Sequence, residues 1–168
     1  MYDLTKDKLK SELPSKNEIG IRSLSIAANA KFLISCDSAG YVYPYYLEDT
    51  EHLVPSKPFQ AHEDYILKVQ IAQNNKHIAT CSADKKIHLW TLKPTANERD
   101  LQFELSKTLK GHNKWVWDCD FSCDSAYLIS ASTDATVRLW DVESGEIVQI
   151  LKGHSKGIVC LALNDVAT

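Results

Sequence analysis

GHNKWVWDCDFSCDSAYLISASTDATVRLWD, residues 111 to 141, is the stretch whose reading decides the fold. It opens on Gly111-His112 and runs through an alternating apolar segment, VWDCDFS (116–122). A second run, beginning ISAS at Ile129, enters a small polar turn at Thr133-Asp134 and leaves as a third, ending Trp140-Asp141. Short alternating runs separated by small polar residues predict β-strands joined by tight turns. Outward from this stretch the pattern recurs. IATCSADKKIHLWTL (78–92) repeats the turn and third run, and ISCDSAGYVYPYYL (34–47) repeats it with changes. Each has an upstream strand, ILKVQIA (66–72) and IRSLSIA (21–27). Ala61-His62 stands before the first, and Gly153-His154 stands before a further run, IVCLALN (158–164). His112 to His154 is 42 residues and His62 to His112 is 50, the longer spacing fitting an insertion at PTANERD (94–100). No helical periodicity competes over any length.

A period of this size with Gly-His near its start and Trp-Asp near its end resembles the WD40 repeat, four strands to a propeller blade. The resemblance implies a buried tetrad of His112, Ser130, Asp134 and Trp140. In it the imidazole bridges the turn carboxylate and the strand hydroxyl, which accepts from the indole N–H. Burial requires such partners for every polar group. His62, Thr80, Asp84 and Trp90 repeat the set at the same offsets, with the hydroxyl four residues before Asp and Trp six after it. Ser, His and Asp can also make a hydrolytic triad. Recurrence one repeat apart, with the hydroxyl in mid-strand, favours structure over catalysis, so no catalytic residue is assigned.

Of the 168 residues 44% are hydrophobic and 24% charged, with net charge −3. That is globular composition, with no electrostatic pull toward nucleic acid or anionic lipid. No apolar run approaches the length of a membrane helix. MYDLTKDKLK at the start lacks the apolar core of a secretory signal. Cys36, Cys81, Cys119, Cys123 and Cys160 are odd in number and lie in or beside strand-like runs. They read as buried thiols of a reducing compartment. No metal site and no cofactor are expected.

The fold class is therefore all-β. It is a partial propeller of about three four-stranded antiparallel blades, with an orphan strand at each end. Residues 1–12 are assigned to the end of a preceding blade, because Tyr2-Asp3-Leu4 resembles the end of a third strand. A degenerate blade spans 20–62, further blades span 65–112 and 115–154, and 157–165 is the inner strand that closes the first blade of a ring. In the degenerate blade Ala39 replaces the turn Asp, Tyr45 replaces Trp, and Pro44 sits within the third strand. It is expected to hold by packing alone, through Leu24, Ile26, Phe32, Leu33, Val42 and Tyr45. Propellers close with four to eight blades, so the chain reads either as part of a longer protein, with the N-terminal half of the propeller missing, or as one of two arcs that share a ring.

Trp115-Val116-Trp117-Asp118-Cys119, Ala79-Thr80-Cys81-Ser82-Ala83-Asp84 and the ending from Gly153-His154 through Val159-Cys160-Leu161 to Asn164-Asp165 are more particular. Together they resemble the small WD-repeat subunit of the target-of-rapamycin (TOR) kinase complexes, strongest over 58–165. That resemblance implies a seven-bladed propeller of which this chain carries about blades five to seven. It implies a non-catalytic scaffold of TOR complexes 1 and 2 that binds and stabilises the TOR kinase catalytic domain, in growth signalling and actin organisation. Its partners would be that domain and other complex subunits, with no nucleic acid and no membrane insertion. Its location would be cytoplasmic, peripheral at vacuolar, lysosomal or other endomembranes through the complex. Another WD40 adaptor, a ubiquitin-ligase substrate receptor or a coat subunit, shares the fold without sharing these segments.

The residues also point to a surface. Positions flanking the first apolar residue of an inner strand reach the top rim of a blade. They are Trp115 and Trp117 around Val116, Tyr65 and Leu67 around Ile66, and Gly157 and Val159 around Ile158. Small turn residues, Ala83 and Thr133, leave the aromatics standing proud. Trp and Tyr dominate interface hot spots, so these six are the predicted partner-binding residues.

Overall fold

The computed structural model describes residues 19–48 and 52–164, with the backbone of 2–3 and 8–9. Among the described residues there is no helix. Three antiparallel sheets follow one another along the chain. The first orders β3 (Ile21–Ile26), β4 (Phe32–Asp37), β5 (Tyr41–Leu47) and β6 (Leu53–Pro55), with β7 (Phe59–Gln60) also on β5. The second is β8 (Ile66–Ile71), β9 (His77–Ser82), β10 (Ile87–Leu92) and β11 (Phe103–Leu109). The third is β12 (Val116–Phe121), β13 (Tyr127–Ser132), β14 (Thr136–Asp141) and β15 (Ile147–Lys152). β1 (Tyr2–Asp3) pairs with β2 (Lys8–Leu9). Leu4 of the Tyr2-Asp3-Leu4 match lies outside the described residues, as does Asp165 at the other end.

Local chemistry explains the repetition. The turn between the second and third strands of each blade places one residue in the left-handed region: Gly40, Lys85 and Ala135, at φ 86°, 73° and 65°. At Gly40 the requirement is absolute, since a Cβ there would lie 2.2 Å from the His62 carbonyl oxygen. Each inner strand also carries a β-bulge at its second residue. Ile21 and Ser23 pair with Asp37 and Cys36, Ile66 and Lys68 with Ser82 and Cys81, Val116 and Asp118 with Ser132 and Ala131. Arg22, Leu67 and Trp117 are thus the extra residues, left out of the ladder and re-aimed.

The core lies between blades, in two layers. Phe32, Ile34 and Val42 meet Ile66, Val69 and Trp90 in one. Cys81, Ile87 and Leu89 meet Val116, Phe121 and Trp140 in the other. The middle blade is covered on both faces, while Val148 and Ile150 of β15 are exposed.

Three expectations are corrected here. Residues 158–164 form no strand, because they have no ladder partner among the described residues. The segment is instead tied to two strands: the Ile158 N–H donates to the Ser132 carbonyl of β13 (3.0 Å) and the Leu161 N–H to Asp118 Oδ2 of β12 (2.9 Å). Cys160, on this segment, is exposed and Cys123 half-buried, so only Cys36, Cys81 and Cys119 are buried thiols.

Nor is the blade over 20–62 held by packing alone. Leu24 and Ile26 are 46% and 53% exposed, since no neighbour among the described residues covers that face of β3. A buried carboxylate does what the missing turn Asp would do. Asp37 Oδ1 accepts from the Ala39 N–H (2.8 Å) and the Tyr41 N–H (2.9 Å), and Oδ2 accepts from the Tyr43 hydroxyl (2.8 Å). Pro44, with no N–H to donate, coincides with the break of the outer strand into β6 on 45–47 and β7 on 41–42.

Candidate functional site

The two histidine sets converge inside their blades. His112 Nδ1 is 2.8 Å from Asp134 Oδ2, and its Nε2 is 2.8 Å from Ser130 Oγ, which accepts from Trp140 Nε1–H at 2.8 Å. In the middle blade the corresponding distances, His62 to Asp84, His62 to Thr80 and Trp90 to Thr80, are 2.8, 2.8 and 3.1 Å. A neutral imidazole protonated on Nδ1 satisfies every polar atom of both chains of bonds. Burial pushes the Asp134 carboxyl up, but hydrogen bonds from Thr136 and His112 outweigh it and hold it down at about 2. Burial lowers His112, with Asp134 opposing. Thr80 and Ser130 have no exposed surface and are doubly hydrogen-bonded, so neither hydroxyl meets a substrate.

The position two residues before the Trp adds a layer that sequence reading missed. His88 stacks on His62 (centroids 4.1 Å apart, planes 11° apart) and bonds the Ala61 carbonyl through Nδ1 (2.8 Å). Burial, then the His62 ring, depress it to about 4. The corresponding residue is Tyr43 on Asp37 in the first blade and Arg138 beside Asp134 (3.9 Å) in the last.

The rim is built by the bulge. The Thr133 N–H donates to the Trp115 carbonyl (3.0 Å), which fixes the strand start. Trp117, the bulged residue, turns its indole N–H onto Thr133 Oγ1 at 2.7 Å. Trp115 and Trp117 then lie side by side, ring centroids 5.7 Å apart and planes tilted by 50°. Trp115 is 43% exposed and Trp117 half-buried. Gly157 passes so close to Thr133 that a Cβ would lie 2.9 Å from its Cα. This approach brings Val159, 61% exposed, to the far side of an open groove of about 640 Å³. The groove is thus lined by four predicted residues, Trp115, Trp117, Gly157 and Val159.

A family model described as WD domain, G-beta repeat matches residues 53–91 and 103–141. Each match starts on the outer strand of one blade and ends on the third strand of the next. The target of rapamycin complex subunit LST8 of Saccharomyces cerevisiae is 41% identical over 97% of this chain and 52% of its own length. The subunit wat1 of Schizosaccharomyces pombe is 36% identical over 98% and 51%. LST8 of Mus musculus is 34% identical over 98% and 52%. The chain belongs to the LST8 family of WD40-repeat proteins. It spans about half the length of the curated relatives it matches.

In this LST8-family chain the two other predicted rim residues stand apart. Tyr65 is exposed and its carbonyl accepts from the Ala83 N–H (3.0 Å), as Trp115 does from Thr133, but neither it nor Leu67 lines the groove. With alanine at 83, Leu67 has no hydroxyl beside it. The groove instead takes Lys85, Asn113 and Lys114, which sequence reading did not assign to it. The one sequence signal at Lys85 is a lysine where the other blades carry Gly40 and Ala135.

Proposed function

We propose that this chain is part of a non-catalytic propeller subunit of TOR complexes 1 and 2, in nutrient-responsive growth signalling and actin organisation. In this reading the Trp115–Trp117 rim binds the TOR kinase catalytic domain. The platform acts by binding energy: a ligand that prefers one conformation of the kinase lobe raises its population by its differential affinity. The observation that carries the reading is an indole pair held outward by a bulge and a Thr133 hydrogen bond, in a chain whose relatives are named target of rapamycin complex subunits. The closed tetrads support a role without chemistry. A cytoplasmic location, reaching endomembranes through the complex, belongs to the same proposal.

The test is co-purification of the kinase with the tagged protein. Trp115→Ala with Trp117→Ala should cut kinase recovery at least ten-fold while the circular dichroism spectrum stays that of the parent. Undiminished recovery overturns the assignment. Recovery of ubiquitin-ligase or coat components in place of the kinase would assign the chain to a different kind of WD40 adaptor.

A further inference from the structure

The groove beside the indole pair carries charge of one sign. Lys85 reaches it from the β9–β10 turn, and Lys114 from the residues just before β12. Among the described residues no carboxylate lines it, although the chain as a whole has net charge −3. Neighbouring acids are already engaged, Asp134 by His112 and the Asn113 N–H, Asp84 by His62 and Lys86. Neither Lys85 nor Lys114 has an ion-pair partner among the described residues.

Lys85 is also costly to the fold. Its φ of 73° is disfavoured for any residue with a Cβ. The equivalent position in the first blade is glycine, so a long cationic side chain here serves no local need of the turn. What it does is extend a charge into a groove walled by Trp115 and Val159.

We infer that the groove binds an extended acidic segment of the partner. An aromatic or aliphatic side chain seats against Trp115 and Val159, and flanking carboxylates reach Lys85 and Lys114. This rests on the partner-binding reading of the same rim and adds the chemistry of the segment it takes. A cationic guest on the indole faces, otherwise a natural ligand for paired tryptophans, is repelled by the two lysines. Single-stranded nucleic acid would also use stacking and positive charge, but two lysines in an acidic chain supply no track for a phosphate backbone.

The test uses the full chain and a fluorescein-labelled nine-residue peptide with one phenylalanine between two glutamates. Its glutamine counterpart and a short oligothymidylate are the controls. The acidic peptide should bind at least ten-fold more tightly than the glutamine peptide at about 50 mM salt, and the advantage should shrink at about 300 mM as screening rises. Lys85→Gly with Lys114→Gln should abolish the advantage without lowering the denaturation midpoint, because glycine relieves the turn. Equal affinity for the two peptides, an advantage retained in the lysine variant, or oligothymidylate binding as tightly as the acidic peptide would overturn the inference. Kinase recovery separates this from the broader reading. Loss in the tryptophan variant with full retention in the lysine variant removes the acidic segment and keeps the rim. Retention in both removes the rim as well.

Discussion

In the β12–β15 blade, the turn between second and third strands is tied by Asp134, which accepts from the Thr136 N–H at 3.0 Å and binds His112. In the β3–β7 blade the same turn is tied by Asp37, two positions earlier, which takes the amides of residues 39 and 41. In the histidine blades that work is split: Ser82 and Ser132 accept the amide of the turn Asp, and the Asp accepts the amide two residues later. One carboxylate at 37 performs both tasks and adds Tyr43 in place of an imidazole. The comparison teaches that the fold requires filled acceptors at the turn and a polar partner behind the third strand. The histidine set is one way to supply them.

The largest break in the comparison is Trp140→Ala. It empties the second core layer and removes the donor to Ser130, and should cost about 3–5 kcal/mol by urea denaturation. Next, Asp134→Ala and Asp37→Ala should each cost about 1–3 kcal/mol, because each leaves buried donors unmatched. Were Asp37→Ala to unfold at the parent's midpoint, the equivalence of the two turns would be wrong. Tyr43→Phe, which removes one bond to Asp37, should cost about 0.5–1.5 kcal/mol. Lys85→Gly should stabilise the fold by about 1 kcal/mol, read as a raised denaturation midpoint, since glycine adopts φ of 73° freely. An unchanged or lower midpoint would mean that the lysine contributes to the turn after all.

The last effect is a pH slope, which appears only below neutral pH. His88 titrates at about 4 in the fold and about 6.5 unfolded. Between these values the unfolded chain holds the extra proton, so stability falls as pH drops from about 6.5 to about 4, and His88 adds nothing further below that. His88→Gln should flatten this part of the stability profile. Asp134 acts lower still. Its carboxyl is at about 2 in the fold and about 3.9 unfolded, so its contribution is present above about 3.9 and is lost as pH falls toward 2. A profile unchanged by His88→Gln would show that the stacked ring does not resist protonation.

How much was legible follows from how local each feature is. The two tetrads were readable because buried polar groups at a strand, a turn and a neighbouring strand must recur at constant offsets. Asp37 was missed because its compensation is shifted by two positions, so that Ala39 looked like a loss. Leu24 and Ile26 have a core pattern, yet their face of β3 meets no neighbour among the described residues. The strand expected at 158–164 has the right alternation, yet it is held by one hydrogen bond to Ser132 of β13 and one to the Asp118 side chain of β12, without a ladder.

The sequence by itself determined the period, the strand order, the turn positions and the residues of both tetrads, because each depends on interactions within one blade. Only the tertiary structure decided which faces are covered, that the bulge turns Trp117 onto Thr133, and that Lys85 from one blade joins Lys114 and Val159 around one groove. Those placements depend on how one blade rests against the next. Side chains far apart in sequence meet there through packing, and local spacing carries no record of such contacts.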